Sequence, residues 1–191
     1  MQYLTGRLAF GVYCEEDSCG LWNITKAEWL DDSLMQLRES DDSPFKHYGI
    51  EENKIVPYHE FCTYNVASHT RAYLDMLYEE RFDELRGLFA EAINSAKARS
   101  DIFMATLSRL RKTGKYLTIN KFMTEEFGSA WESYCQGVHS AMMNIEKAQM
   151  NLEQYEKIHG DLPSAIKSTM VYGGMLTDNA ESISTKQGTG V

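Results

Sequence analysis

The sequence predicts an α+β fold, mainly helical, with an N-terminal β-hairpin region packed against a helical bundle and a long C-terminal heptad-patterned helix. Three observations carry this. Apolar residues alternate with a period of two over the first dozen positions. From Asn65 they recur at steps of three and four. From Trp131 to His159 those steps continue without a miss. At 191 residues the chain has the length of one ordinary domain. The expected layout is a single domain over 1–172, made of an acidic β-containing part (1–64) and a helical part (65–160), followed by a flexible tail, 173–191.

The first element is a strand: Leu4, Leu8, Phe10 and Val12 alternate with Tyr3, Arg7, Ala9 and Gly11. Glu15-Glu16-Asp17-Ser18 is turn material, and Leu21-Trp22-Asn23-Ile24 returns to strand composition, so a hairpin is expected across 2–24. Thr25-Lys26-Ala27-Glu28 has the form of a capping box, a hydroxyl and a glutamate exchanging hydrogen bonds across one turn. A helix bearing Trp29, Leu30, Leu34 and Leu37 is expected to follow and to stop before the polar run from Glu39 to Pro44. Residues 45–64 allow either a second hairpin or a loop.

Helical spacing then takes over. Leu74, Leu77, Leu85, Leu88, Phe89, Ala92 and Ile93 form one stripe, as one helix or two. Ser100 is a possible cap for a helix carrying Phe103, Leu107 and Leu110 and ending at Thr113-Gly114. The last helix is expected over 124–159, with Gly160 just beyond its end and Pro163 after it. Its seam is Trp131, Tyr134, Val138, Ala141, Ile145, Ala148, Leu152, Tyr155 and His159. Large residues hold the a-type positions, and alanine holds the middle d-type positions. Cys135, Met142, Met143, Met150 and Ile158 widen the stripe, which fits a bundle helix covered on two sides as well as a partner-binding face. The interface candidates are Trp131, Tyr134, Met142, Met143, Met150 and Tyr155.

The net charge of −9 argues against a general nucleic-acid binder, since phosphate binding rests on cationic surface. The charge is uneven, however. Lys97, Arg99, Arg109, Arg111, Lys112, Lys115 and Lys121 meet a single acid between them, Asp101. These seven are the candidate binding residues for a nucleic acid or an acidic partner. The plainer alternatives are helix C-terminal cations facing the helix dipole, or contact with the chain's own acidic part.

Other motifs are weaker. Cys14, Cys19, His59 and Cys62 supply four zinc-type ligands, but without the usual two-residue spacing, so no metal is assigned and no cofactor is called for. Tyr58-His59-Glu60 and Ser68-His69-Thr70-Arg71 bring acid–base groups close together, while Arg71, Asp75 and Glu79 read as ion pairs along a solvated helix face. Glycine-rich phosphate loops, nucleophile elbows and paired zinc histidines are absent. No apolar run reaches membrane-spanning length, and ten methionines with four cysteines suit a reducing cytoplasm.

The function expected from all this is interaction: an adaptor, inhibitor, antitoxin or immunity-type protein that binds another protein or itself. The alternative is a small nucleic-acid-acting enzyme using the basic segment and a histidine.

Overall fold

The computed structural model describes residues 1–14, 24–93 and 95–159. They divide into two units, Met1–Trp131 and a second that begins at Glu132. Among the described residues no helix is long and apolar enough to cross a membrane.

The first unit is built on a four-stranded mixed sheet. Its strands are β1 (Gln2–Thr5), β2 (Gln36–Glu39), β3 (Ile50–Ile55) and β4 (Thr63–Ala67), in the order β2-β1-β4-β3. β1 runs antiparallel to β2 and parallel to β4, and β3 pairs antiparallel with β4. The helices of this unit are α1 (Lys26–Trp29), α2 (His69–Tyr78), α3 (Phe82–Leu85), α4 (Ala96–Ala105) and α5 (Tyr116–Phe127), of which α2 packs on β1 and β4 and is met in turn by α3 and α4. Helix α6 (Ser129–His159) starts in the first unit and forms the described part of the second. This is the mainly helical α+β class that the periodicities predict.

The pairing of β1 corrects the expected hairpin. The strand stops at Thr5 because Gly6 takes φ +71°, where a Cβ would sit 2.2 Å from Gln36 Oε1. The alternation after it belongs to a 3-10 helix, Arg7–Gly11, which buries Leu8, Ala9 and Phe10. Residues 15–23, the expected turn and most of the returning strand, lie outside the described residues. β1 instead takes its antiparallel partner from Gln36–Glu39, inside the segment expected to be helical.

The capping box at Thr25 and Glu28 forms in full. Its helix nevertheless lasts one turn, and Leu30, Leu34 and Leu37 end up exposed. The open segment 45–64 becomes β3, a turn and the start of β4. Val66 and Ala67 therefore finish a strand rather than open a helix.

Three further boundaries move. Ser95, not Ser100, caps α4 by accepting from Ala98 N. Tyr116–Phe127 is a separate helix that ends at Gly128, whose φ of +51° breaks the path. The long helix accordingly begins at Ser129 and reaches His159. Gly160 and the tail 173–191 lie outside the described residues.

The core of the first unit has two parts. On the sheet, α2 covers the face that carries Tyr3 and Thr5, while Leu4 is buried on the other face. Beyond α2, aromatic rings link the helices. Phe127 meets Tyr73, Phe89 and Phe103 at centroid separations of 6.4, 5.3 and 5.0 Å, and Trp131 lies edge-on to Phe103 at 5.2 Å. Edge-on rings pair the electropositive rim of one with the electronegative face of the next.

Candidate interaction surfaces

The densest polar constellation is not at a surface. Ser68 caps α2 and sets its first turn, so Arg71 and Asp75 fall one turn apart on the side facing the sheet. The strand period of two puts Tyr3 and Thr5 on the opposing face, in register with Arg38 and Gln36 of β2. Asp75 Oδ2 accepts from the hydroxyls of Tyr3 and Thr5, both at 2.8 Å. Its Oδ1 accepts from Arg71 Nε at 3.0 Å and Ser43 Oγ at 3.3 Å, with Arg38 Nη1 at 3.6 Å. Arg71 also donates to the carbonyls of Lys46 and Tyr48 and to the Tyr3 hydroxyl. Both Arg71 and Asp75 are 0% exposed.

These are not surface ion pairs on a solvated face; the expectation fails because the sheet covers that side of α2. Charges taken out of water persist only when paired and hydrogen-bonded. Here the carboxylate accepts from four donors, Tyr3, Thr5, Ser43 and Arg71. Burial, with the Asp75 charge beside it, pushes the Tyr3 hydroxyl up to about 12.

Two clefts of about 650 Å³ each flank this centre. One is lined by Gln36, Arg38, Glu79 and Arg81. There Arg38 pairs with Glu79, while Arg81 chelates Glu84 through Nε at 2.7 Å and Nη2 at 2.5 Å. That pairing holds the Glu84 carboxyl below its ordinary range. The other cleft is lined by Glu51, Lys54, Lys97 and Asp101. Lys54 pairs with Glu51 at 2.5 Å and Lys97 with Asp101 at 3.4 Å. In both clefts charge is largely matched within the chain.

The seven basic candidates are scattered in their roles. Lys97 holds Asp101, and the Arg99 guanidinium sits 5.7 Å from the centre of the Phe89 ring. Arg109 donates to the carbonyls of Pro44 and Phe45 and lies over Tyr48. Lys115 donates to the Tyr78 carbonyl and faces Glu80 at 3.8 Å, and Lys121 faces Glu125 at 3.9 Å. Arg111 and Lys112 are exposed, with no ion pair among the described residues. The fold thus engages five of the seven cations with the chain's own carbonyls, carboxylates and rings.

The histidines and cysteines are similarly placed. His69 is fully buried, Nε2 lies 3.0 Å from the Val12 carbonyl, and its ring packs against Phe10. His59 Nε2 lies 3.0 Å from the Trp29 carbonyl, tying the β3–β4 connection to α1. Cys14 is buried and its thiol donates to Glu51, whereas Cys62 is exposed. Cys19 lies outside the described residues. Among the described residues no group of three or more His, Cys, Asp or Glu side chains is placed to hold a metal ion.

The exposed apolar groups lie elsewhere. At the β3–β4 connection Ile55, Tyr58 and Phe61 are exposed, Phe61 completely. Turns closed by His59 N to Val56 O and Cys62 N to His59 O hold this tip, and Tyr58 takes φ +61°. Sequence reasoning passed over Phe61. The available signal was an aromatic ring inside a polar turn, with no periodic stripe to absorb it.

Of the candidates on α6, Trp131 is buried in the first unit, where its Nε1 donates to Asn120 Oδ1 at 3.0 Å, so its ring presents no surface. Beyond it, no described residue of the helix is buried. Tyr134, Val138, Ile145, Ala148 and Leu152 are half-buried, while Met142, Met143 and Met150 are 48%, 52% and 61% exposed. The side chain of Tyr155 lies outside the described residues. No protein-family model, curated protein or solved structure matches this chain.

Proposed function

We propose that this protein acts by docking on a macromolecular partner, as an adaptor, inhibitor or immunity-type protein does, rather than by catalysis. One observation carries the reading. The most regular apolar seam in the sequence runs along α6, and from Glu132 onward none of its described positions is buried. Amphipathic helices hold an apolar stripe because something covers it, and helix-in-groove recognition uses such a stripe with anchors at three- and four-residue steps. Exposed Met142, at the flank of the seam, suits a contact that must adapt to its partner's shape. The fully exposed Phe61 tip is also consistent with docking. The enzymatic alternative gains less support, since His69 is buried and five of the seven basic residues are engaged within the chain.

Native mass spectrometry of the full chain from its own host tests this against an Ile145→Gln/Leu152→Gln variant. Glutamine keeps good helix propensity, so a loss of mass reports the seam and not the helix. The expected result is additional mass on the native chain that is missing from the variant. Equal masses for the two would overturn the reading.

A further inference from the structure

We infer that the α6 seam is closed by the α6 of a second copy of this chain, in an antiparallel pair centred between Glu146 and Lys147. The inference rests on the docking role proposed above and names the partner. Three features select a second copy and this orientation.

The first is continuity. α6 is one unbroken helix from Ser129 to His159, so positions read as a heptad from sequence lie on one physical stripe. From Glu132 onward it is about 40 Å long at 1.5 Å per residue.

The second is size. The seam alternates large a-type residues, Val138, Ile145 and Leu152, with small d-type residues, Ala141 and Ala148. In a parallel pair like meets like, so alanine faces alanine in layers too thin to fill the space between the helices. In an antiparallel pair a-type residues face d-type residues. Centring the pair between residues 146 and 147 sets Ile145 against Ala148 and Leu152 against Ala141, each twice by symmetry. Val138 then meets position 155. Every central layer holds one large and one small side chain, the arrangement that fills a core evenly. Alanine also lets the axes approach toward the short end of the usual 8–10 Å.

The third is charge. The positions flanking the seam are Cys135, Met142, Gln149 and Glu156 on one side, and Gly137, Asn144, Asn151 and Ile158 on the other. Flanking charges ordinarily choose between partners, and like charges there would keep two copies apart. Seven of the eight are uncharged. In this register the eighth, Glu156, faces Cys135, and Asn144 faces Asn151, two amides able to hydrogen-bond. Glu132, His139, Glu146, Lys147, Glu153 and Lys157 occupy outward positions, and His159 stands at the C-terminal end of the seam.

Sedimentation of the full chain over a range of concentrations reads the association. A mass of twice 21.9 kDa is expected for the native chain, halving in the Ile145→Gln/Leu152→Gln variant. Orientation is read by amine cross-linking of dimers mixed from light and heavy isotope chains. Lys147 lies beside the dyad and links to its counterpart. The two Lys157 groups are separated by 21 residues along the axis, about 30 Å, and do not. A Lys157–Lys157 link as abundant as the Lys147 link would overturn the antiparallel pairing. A native chain that stays monomeric would overturn the second copy. In that case, a foreign partner lost on seam substitution leaves the docking role standing, and no such partner removes both.

Discussion

Helix α2 has ten residues, among them His69, Thr70, Arg71 and Asp75, and nine of its ten positions are buried. Helix α6 has 31 residues with the most regular apolar seam in the chain, yet among its described positions only Trp131 is buried. Read in isolation, the two would be assigned the other way round. Burial follows from what surrounds an element: α2 lies against the face of β1 that carries Tyr3 and Thr5, so its polar side goes inward. Arg71 and Asp75 can do so because their partners go with them, hydroxyls from β1, carbonyls from the chain before β3, and Arg38 from β2. By contrast, His69 Nδ1, Thr70 Oγ1 and the Tyr73 hydroxyl are buried without a hydrogen bond among the described residues. A buried polar group whose hydrogen bonds are met is tolerated, whereas an apolar stripe is buried only where another element covers it.

The largest expected effect comes from breaking the buried centre of α2. Asp75→Ala leaves the Arg71 guanidinium buried without its carboxylate, and the Tyr3 and Thr5 hydroxyls without their acceptor. The expected cost is about 3–5 kcal/mol in urea unfolding. An Arg71→Met/Asp75→Leu variant should lose clearly less than the sum of the two single changes, because no unpaired charge remains. Equal and additive losses would show that the pair is not coupled.

A second effect comes from alkali. The Tyr3 hydroxyl is raised from 10.0 to about 12 by burial and by the Asp75 charge. The folded state therefore holds this proton more tightly than the unfolded state does. Stability from this group is fully present below pH 10 and is lost as pH rises toward about 12. At about 1.4 kcal/mol per pH unit, the loss across that window is about 2–3 kcal/mol. Tyr73, raised by burial and by the Glu126 charge, acts in the same direction. Urea unfolding followed by fluorescence at stepped pH should show this decline, and Tyr3→Phe should flatten it. An unchanged slope in that variant would place the titration elsewhere.

A third change tests how tightly the segment before β3 seats Arg71. Gly49 has φ +66°, and a Cβ there would lie 2.8 Å from Arg71 Cβ and 3.0 Å from Ser68 Oγ. Gly49→Ala should cost about 1–3 kcal/mol, from left-handed backbone strain and displacement of the Arg71 stem. Gly87 also has positive φ but nothing within 4 Å of its Cβ direction, so Gly87→Ala isolates the backbone share of that cost. If the two variants proved equally destabilised, the packing component at Gly49 would be disproved.

What was legible in the sequence follows the range of the forces involved. The Thr25–Glu28 capping box formed as read, because it needs only four adjacent residues. The long C-terminal helix was legible for the same reason, and its true start was set by the left-handed conformation at Gly128. The partner of β1 was not legible. Pairing Gln2–Thr5 with Gln36–Glu39 depends on a contact more than 30 residues away, while the local signal favoured a hairpin. The destination of the basic segment was hidden likewise. Arg109 and Lys115 reach carbonyls of Phe45 and Tyr78, acceptors that every residue carries and no sequence pattern marks. A seam records that a face is apolar, but not whether the same chain covers it.

The smallest expected effect draws the contrast most sharply, using one substitution in two helices. Leu74 in α2 is 0% exposed, and Leu74→Ala should cost about 2–5 kcal/mol for lost transfer energy and the cavity left behind. Leu152 in α6 is half-buried, and in dilute solution Leu152→Ala should cost under about 0.5 kcal/mol, the range of an ordinary surface change. Repeating both unfolding experiments at rising protein concentration separates the helices further. The Leu74 penalty belongs to a core within one chain and should not move. The Leu152 penalty should grow with concentration, because a partner that binds only the folded chain adds stability by mass action. A Leu152 cost that was already large in dilute solution, and constant thereafter, would mean that the seam is covered within a single chain.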